Sequence, residues 1–211
     1  MRRYRHLIAV DPSLTCSGWV LLGVETGLVL SVGKIRGQAP SFPMAERLAT
    51  LQRNIEALFS DLELGPLDVL VCEAPTTVKD PHNALKVEQV RSAFESLARA
   101  RSVCVPGRVN PRSVHYEIMG LKGKQMPRRE VKATARKTVS FLYADELKKI
   151  GLSGEETELH KHQDIVDALL IGRLALTRIH SALEGSLSIE ALFETNERAR
   201  GRSWRMKSCG I

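Results

Sequence analysis

Four carboxylates stand in this chain where such side chains are costly to keep: Asp11, Glu73, Asp164 and Asp167. Asp11 closes the apolar run Leu7-Ile8-Ala9-Val10, and Glu73 closes Val69-Leu70-Val71-Cys72. Asp164 and Asp167 interrupt the most apolar helical stretch, with Ile165-Val166 between them and Ala168-Leu169-Leu170-Ile171 after. A carboxylate so placed is expensive to desolvate unless it is paired or bound to a cation. Gathered together, four of them would hold a pair of hard divalent ions. The matching chemistry is phosphodiester cleavage. A water must lose a proton, negative charge builds on the phosphate, and the leaving alkoxide needs an acid. Two Mg²⁺ ions about 3.5–4 Å apart serve all three needs. Mg²⁺ prefers carboxylate and water to imidazole or thiolate. Plainer readings exist for each position taken singly. Asp11-Pro12-Ser13 reads as a turn, Glu73 before Ala74-Pro75 as a solvated strand end, and Asp164 as a helix cap. Asp167, inside an apolar helix, resists such a reading.

The elements that must position these groups follow from apolar periodicity. Residues 6–10 predict a buried first strand, 18–24 a second and 28–34 a third, joined by short turns at Asp11-Pro12-Ser13 and Glu25-Thr26-Gly27. Such spacing predicts an antiparallel meander. A helix is predicted over 44–62, with Leu48, Leu51, Ile55, Leu58 and Phe59 on one face, before the break at Gly65-Pro66. A fourth strand over 67–72 follows. A helix over 83–100 offers Leu85, Val87, Val90, Phe94 and Leu97 for packing, and a short fifth strand covers 102–105. Residues 113–119 form a short helix, and Pro127 opens a helix running to about residue 150. The last core helix covers about 162–183. The predicted fold class is α/β: a five-stranded mixed sheet, the first three strands antiparallel and the last two parallel, flanked by helices. Residues 1–183 form one domain, and 184–211 form an extension with a flexible basic tail carrying Arg198, Arg200, Arg202, Trp204, Arg205 and Lys207. Asp11 and Glu73 lie side by side if the first and fourth strands are neighbours, an adjacency taken from fold class. Asp164 and Asp167, three apart, share a helix face.

Charge points to the partner. The chain has 211 residues and a net charge of +7, with 43% apolar and 26% charged residues. Its isoelectric point near 9.4 favours a polyanion. The positive charge is densest at Lys122, Lys124, Arg128, Arg129, Lys132, Arg136 and Lys137, with Glu130 the acidic exception. Gly120-Leu121-Lys122-Gly123-Lys124 lets backbone amides and ammonium groups approach phosphates closely. Lys122, Lys124, Arg128, Arg129 and Lys132 are therefore the candidate DNA contacts. A solvated basic helix face is the bland reading. His160 and His162 read as capping or exposed side chains, with His162 near Asp164. His115 and Tyr116 precede the basic loop as candidate phosphate contacts.

Cys16, Cys72, Cys104 and Cys209 show no metal-ligand or redox spacing and read as reduced thiols. The basic start, Met1 to Arg5, meets Asp11-Pro12 too early for a secretory signal. No run approaches membrane-span length. The expectation is a cytoplasmic protein with no membrane partner.

Ile8-Ala9-Val10-Asp11-Pro12-Ser13, Val71-Cys72-Glu73 and Asp164-Ile165-Val166-Asp167-Ala168-Leu169 together resemble the RuvC family of Holliday junction resolvases, within the RNase H-like nuclease superfamily. Residues 83–91 resemble that family's helix after the acidic strand, and 120–131 its basic loop. The resemblance spans about residues 5–180. It implies an RNase H-like fold and a homodimer with sites about 30 Å apart. It implies two Mg²⁺ ions per site, with Mn²⁺ as a substitute, held by Asp11, Glu73, Asp164 and Asp167. The implied activity is symmetric paired nicking of a four-way junction in DNA recombination and repair, leaving 5′-phosphate and 3′-hydroxyl ends. A branch-migration helicase is a candidate partner. A nucleoid-associated protein, or a phage-encoded one in a bacterial host, is the implied setting. The chain departs from the family at Ala74-Pro75-Thr76-Thr77, which lacks the aromatic residue available elsewhere to stack on a junction base. Alternatives are another RNase H-like nuclease acting on branched DNA or RNA/DNA hybrid, and a non-catalytic junction binder. An actin-like ATPase is disfavoured by chain length.

Overall fold

Alternation along the strands decides the architecture. In the computed structural model, which describes residues 3–75, 81–121 and 126–193, β1 (His6–Asp11), β2 (Cys16–Gly23) and β3 (Val29–Arg36) form the antiparallel meander. The strands β4 (Asp68–Glu73) and β5 (Arg108–Val109) add in parallel beyond β1, giving the order β3-β2-β1-β4-β5. This is the mixed α/β sheet expected from the sequence. Its helices are α1 (Met44–Asp61), α2 (Pro81–Ala100), the short α3 (Pro111–Ser113), α4 (Arg128–Lys149), the short α5 (Glu156–Leu159) and α6 (Gln163–Glu184). Leu7, Ala9, Val20, Leu22, Val69 and Val71 point into one core, shared with α4 and α6. Ile8, Val10, Trp19, Leu21, Leu70 and Cys72 point into the other, shared with α1 and α2. Both faces are covered, so the central strands read as unbroken apolar runs.

Two expectations need correction. The fifth strand predicted over 102–105 is reduced to one bridge between Val69 and Cys104. Leu70 N–H donates to the Cys104 carbonyl at 2.8 Å, and Cys104 N–H donates to the Asp68 carbonyl at 2.9 Å. Pro106 has no N–H to continue the ladder, and pairing resumes only at Arg108–Val109, opposite Cys72 and Glu73. The second correction concerns α2. Val90 and Phe94 are buried as expected, but Leu85 is 64% exposed. Two charges occupy core positions instead, Arg91 (1% exposed) and Glu95. Arg91 Nε donates to the Glu73 carbonyl at 2.6 Å, and its guanidinium pairs with Glu88. Arg108 grips Glu95 through two bonds of 2.7 and 3.0 Å and reaches Glu88 at 2.9 Å. Paired in this way, the charges are tolerated in the interior, and they fasten α2 to the ends of β4 and β5.

Helix α6 lies unusually close to the sheet. A Cβ added at Gly172 would sit 2.9 Å from Leu22 Cδ1 and 3.2 Å from Ala9 Cβ. Beyond α6, Ile189 and Phe193 are buried in the same core, with the Arg178 guanidinium 5.5 Å from the centre of the Phe193 ring. Among the described residues, no disulfide joins Cys16, Cys72 and Cys104. Among the described residues no helix is long and apolar enough to cross a membrane. Lys122, Lys124, Thr76, Thr77, Cys209 and the basic tail lie outside the described residues.

Candidate active site

Strand register brings the first two carboxylates together. Val10 pairs with Cys72, so the next step along both strands sets Asp11 beside Glu73. On its other side Asp11 pairs with Gly18, and Gly18 pairs with Lys34. Directly paired residues project to the same side of a sheet. One row therefore crosses four strands in the order Glu73, Asp11, Gly18, Lys34, on the face that α6 covers. The gap at Gly18 seats the start of that helix. A Cβ on Gly18 would lie 2.0 Å from the Asp164 carbonyl oxygen, 2.2 Å from its carbonyl carbon and 2.8 Å from Ile165 N. Glycine inside a strand permits such a close backbone approach. The sequence reading took Gly18 only as a strand start, although a glycine between two strand halves was the available signal.

The helix then delivers its own two acids unequally. A cavity of about 360 Å³ is lined by Asp11, Glu73 and Asp167, together with His115, Arg128 and Lys132. His115 reaches it from the π-helical turn Val114–Ile118. Asp164 does not line it. Its Oδ2 instead lies 3.3 Å from Lys34 Nζ, and burial together with the neighbouring Asp164 pushes the Cys16 thiol up. Arg129, one residue round the helix from the cavity, is exposed, and so is Tyr116. His160 is exposed. Of the two expectations for His162, capping or exposure, the first is absent: it holds the N-cap position of α6 but its side chain makes no cap bond, and it is half-buried. Sequence reasoning missed Gln163 and placed Arg136 only in the basic cluster. Gln163 Nε2 donates to Asp167 Oδ1 at 2.8 Å, and Arg136 Nη1 donates to Gln163 Oε1 at 3.0 Å. This relay orients the Asp167 carboxylate, much as outer groups orient ligands in metal sites.

The electrostatics are those of acids held together against their repulsion. Burial pushes the Asp11 carboxyl well above the usual carboxylate range. Glu73, Asp167 and Asp164 push it the same way, and Lys132 opposes them. Burial and the Asp167 charge push Glu73 up to about 7, against the pull of Arg91. Burial also raises Asp167, while Gln163, Lys132 and Arg128 restrain the rise. His115 is lowered by burial. Among the described residues, Asp11, Glu73 and Asp167 have no ion-pair partner of their own, whereas Asp164 has Lys34.

Among the described residues no three His, Cys, Asp or Glu side chains are drawn into a finished metal-ligand group. The donor chemistry nevertheless fits a hard divalent cation: all-oxygen ligands, mutually repelling, gathered at one cavity. The repulsion has a measurable consequence. The folded value of Glu73, about 7, lies above its ordinary 4.5. Its contribution to stability is therefore fully present below pH 4.5 and is lost as pH rises through 7. In EDTA the melting temperature should fall between pH 5.5 and 7.5. Added Mg²⁺ should raise it, and more at pH 7.5 than at pH 5.5. Thermal melts at the two pH values check this, and an equal or absent Mg²⁺ shift at both would refute the site.

A scan of protein-family models finds no match, and no curated protein sequence matches. Solved structures do. Thermus thermophilus RuvC in complex with a Holliday junction substrate is similar with a TM-score of 0.59 and 18% identity, covering 86% of this chain and 97% of that one. A second Thermus thermophilus RuvC structure is similar with a TM-score of 0.56 and 18% identity, covering 85% of this chain and 96% of that one. At that identity the likeness is one of fold. This chain has the RuvC-like, RNase H-type architecture along most of its length.

Proposed function

We propose that this chain is a Mg²⁺-dependent endodeoxyribonuclease that resolves four-way DNA junctions. In this reading it acts as a homodimer making paired, symmetric nicks that leave 5′-phosphate and 3′-hydroxyl ends. The observation that carries the proposal is the cavity that gathers Asp11, Glu73 and Asp167 beside Lys132, Arg128 and His115. The fold shared with a resolvase bound to its junction supports the choice of substrate.

Asp11, Glu73 and Asp167 would hold divalent ions, with Asp164 contributing from the rim, and Mn²⁺ would substitute for Mg²⁺. When bound, the ions supply charge neutralisation and acidify the attacking water. The remaining work belongs to the chain. Lys132 and Arg128 meet the scissile phosphate and hold the backbone over the acids. Gln163 and Arg136 keep Asp167 turned inward. The apolar wall, Val114, Met119, Val131, Leu170 and Ile171, limits bulk water in the cavity. The exposed Arg129 extends the basic track beside Arg128, and Lys122 and Lys124 are further candidate phosphate contacts. Two sites are needed for two cuts, and the exposed Leu85 on α2 is an apolar position that a second copy would cover.

A cleavage panel tests this. Purified protein should nick a four-way junction in Mg²⁺ and fail in EDTA, while linear duplex, flap and RNA/DNA hybrid are cut poorly. Preference for the hybrid would favour an RNA-directed nuclease, and binding without any cutting would favour a junction-binding protein. In the same experiment the Arg128→Ala/Lys132→Ala variant should bind the junction more weakly. Its log–log salt dependence should be shallower by about 2, one per lost phosphate contact. An unchanged slope would remove both residues from the interface.

A further inference from the structure

The row across the sheet ends in a base. Lys34 sits on β3 opposite Gly18, and its side chain is only 16% exposed. Its ammonium lies 3.3 Å from Asp164 Oδ2 and 3.1 Å from the Lys161 carbonyl oxygen, which it meets as a donor. Two protein oxygens thus hold one end of it, and its side chain is largely shielded from solvent. The four acids are consequently split. Three share the cavity with no ion-pair partner among the described residues, and the fourth is already neutralised from the far side of the Gly18 gap. The same seating of α6 on Gly18 that sends Asp167 toward Asp11 sends Asp164 toward Lys34.

We infer that Lys34 is a tethered counter-cation that competes with a second divalent ion for Asp164. This rests on the proposed nuclease reading and deepens it, because it makes the two ion seats unequal. The first seat, at Asp11, Glu73 and Asp167, has Lys132 and Arg128 in the same cavity but no cation in ion-pair contact with its acids among the described residues. The second requires Asp164 to leave Lys34. An ammonium beside a carboxylate also repels an arriving dication over the same few ångströms. Lys34 is a positioning residue in this scheme and touches neither substrate nor reacting atoms. A bound phosphate, drawing the ion to itself, would shift the competition. Full loading would then follow DNA binding.

The test is Mn²⁺ binding to the full chain without DNA, with free Mn²⁺ counted by electron paramagnetic resonance. Wild type should bind one ion firmly and a second weakly. Lys34→Met should tighten the second ion about tenfold and leave the first unchanged. Lys34→Arg, which keeps the charge, should behave like wild type. Asp164→Asn should abolish the second ion both alone and when combined with Lys34→Met. Lys34→Gln, checked by circular dichroism melting, serves if the Lys34→Met variant folds poorly. Second-ion affinity that is unchanged or weaker in both neutral variants would overturn the inference and make Lys34 a mere clamp on the turn before α6. Failure of the underlying reading looks different. There Asp11→Asn would leave the first ion untouched, or wild type would bind no Mn²⁺ at all, and both conclusions would fall together.

Discussion

Asp167→Asn should slow Mg²⁺-dependent nicking of a four-way junction on the order of 10³-fold, about 4 kcal/mol of barrier, while junction affinity stays within about twofold. The substitution is close to isosteric. Asn retains the Oδ1 that accepts from Gln163 at 2.8 Å, so the orienting relay and the helix should persist. What disappears is one negative charge and one anionic oxygen from the cavity. Loss of that charge should also relieve Glu73, whose upward shift owes its second-largest share to Asp167. The variant should therefore melt no lower than wild type in EDTA, and higher near neutral pH. A dead enzyme that is at least as stable as its parent separates a lost ligand from a broken fold. Retained cleavage, or loss of cleavage together with a lowered melting temperature, would count against Asp167 as a ligand.

Gly18→Ala is the second large effect, and it involves no charge. The added methyl carbon would lie 2.0 Å from the Asp164 carbonyl oxygen and 2.2 Å from its carbon. These are backbone atoms, so no rotamer change relieves the overlap. The start of α6 must lift, by roughly 1 Å or more. Gly172 keeps the middle of the helix pressed on Ala9, Val20 and Leu22, so the motion is a tilt that carries Asp164 and Asp167 away from Asp11 and Glu73. A displacement of about 1 Å at a reacting centre costs about 10²-fold in rate, and overpacking of this kind costs about 1–3 kcal/mol in stability. The matched control is Gly23→Ala on the same strand. Its Cβ would meet Thr26 Oγ1 at 2.5 Å, the end of a side chain that can rotate away. Nicking rates and melts of the two variants should diverge sharply. Equal, small effects would show that α6 does not need its seat.

The parts legible in the sequence were those written in short-range periodicity. The unbroken apolar runs Leu7-Ile8-Ala9-Val10 and Val69-Leu70-Val71-Cys72 marked two buried strands, and the parallel neighbour relation of β1 and β4 places Asp11 beside Glu73 as fold class required. The helix over 163–184 was found within a residue at each end. What escaped notice depends on contacts between distant residues. Lys34 meets Asp164 from a strand far away in the chain, and nothing near Lys34 in the sequence marks it. Arg91 and Glu95 look like the solvated face of an amphipathic helix until Arg108 arrives from β5 to pair with Glu95. The fifth strand was displaced because Cys104 and Val103 have strand-like character, whereas the ladder depends on where Pro106 interrupts it. Cavity membership was likewise invisible: equal spacing on one helix side gave no hint that Asp167 would turn inward while Asp164 turned to the rim.

The Arg91 cluster has a consequence for how the protein comes to life. An interior guanidinium sits behind Glu73, bonded to its peptide carbonyl and drawing its carboxyl back toward ionisation, and Lys132 does the same for Asp11 from the opposite wall. The polypeptide thus brings its own positive charge to offset the crowded acids. Unlike small zinc modules, whose folding waits for metal, this chain can mature in ion-poor surroundings and be armed afterwards. Under the proposed nuclease reading, the ions it takes up would then be exchangeable parts, governed by supply and by nucleic acid rather than by biogenesis.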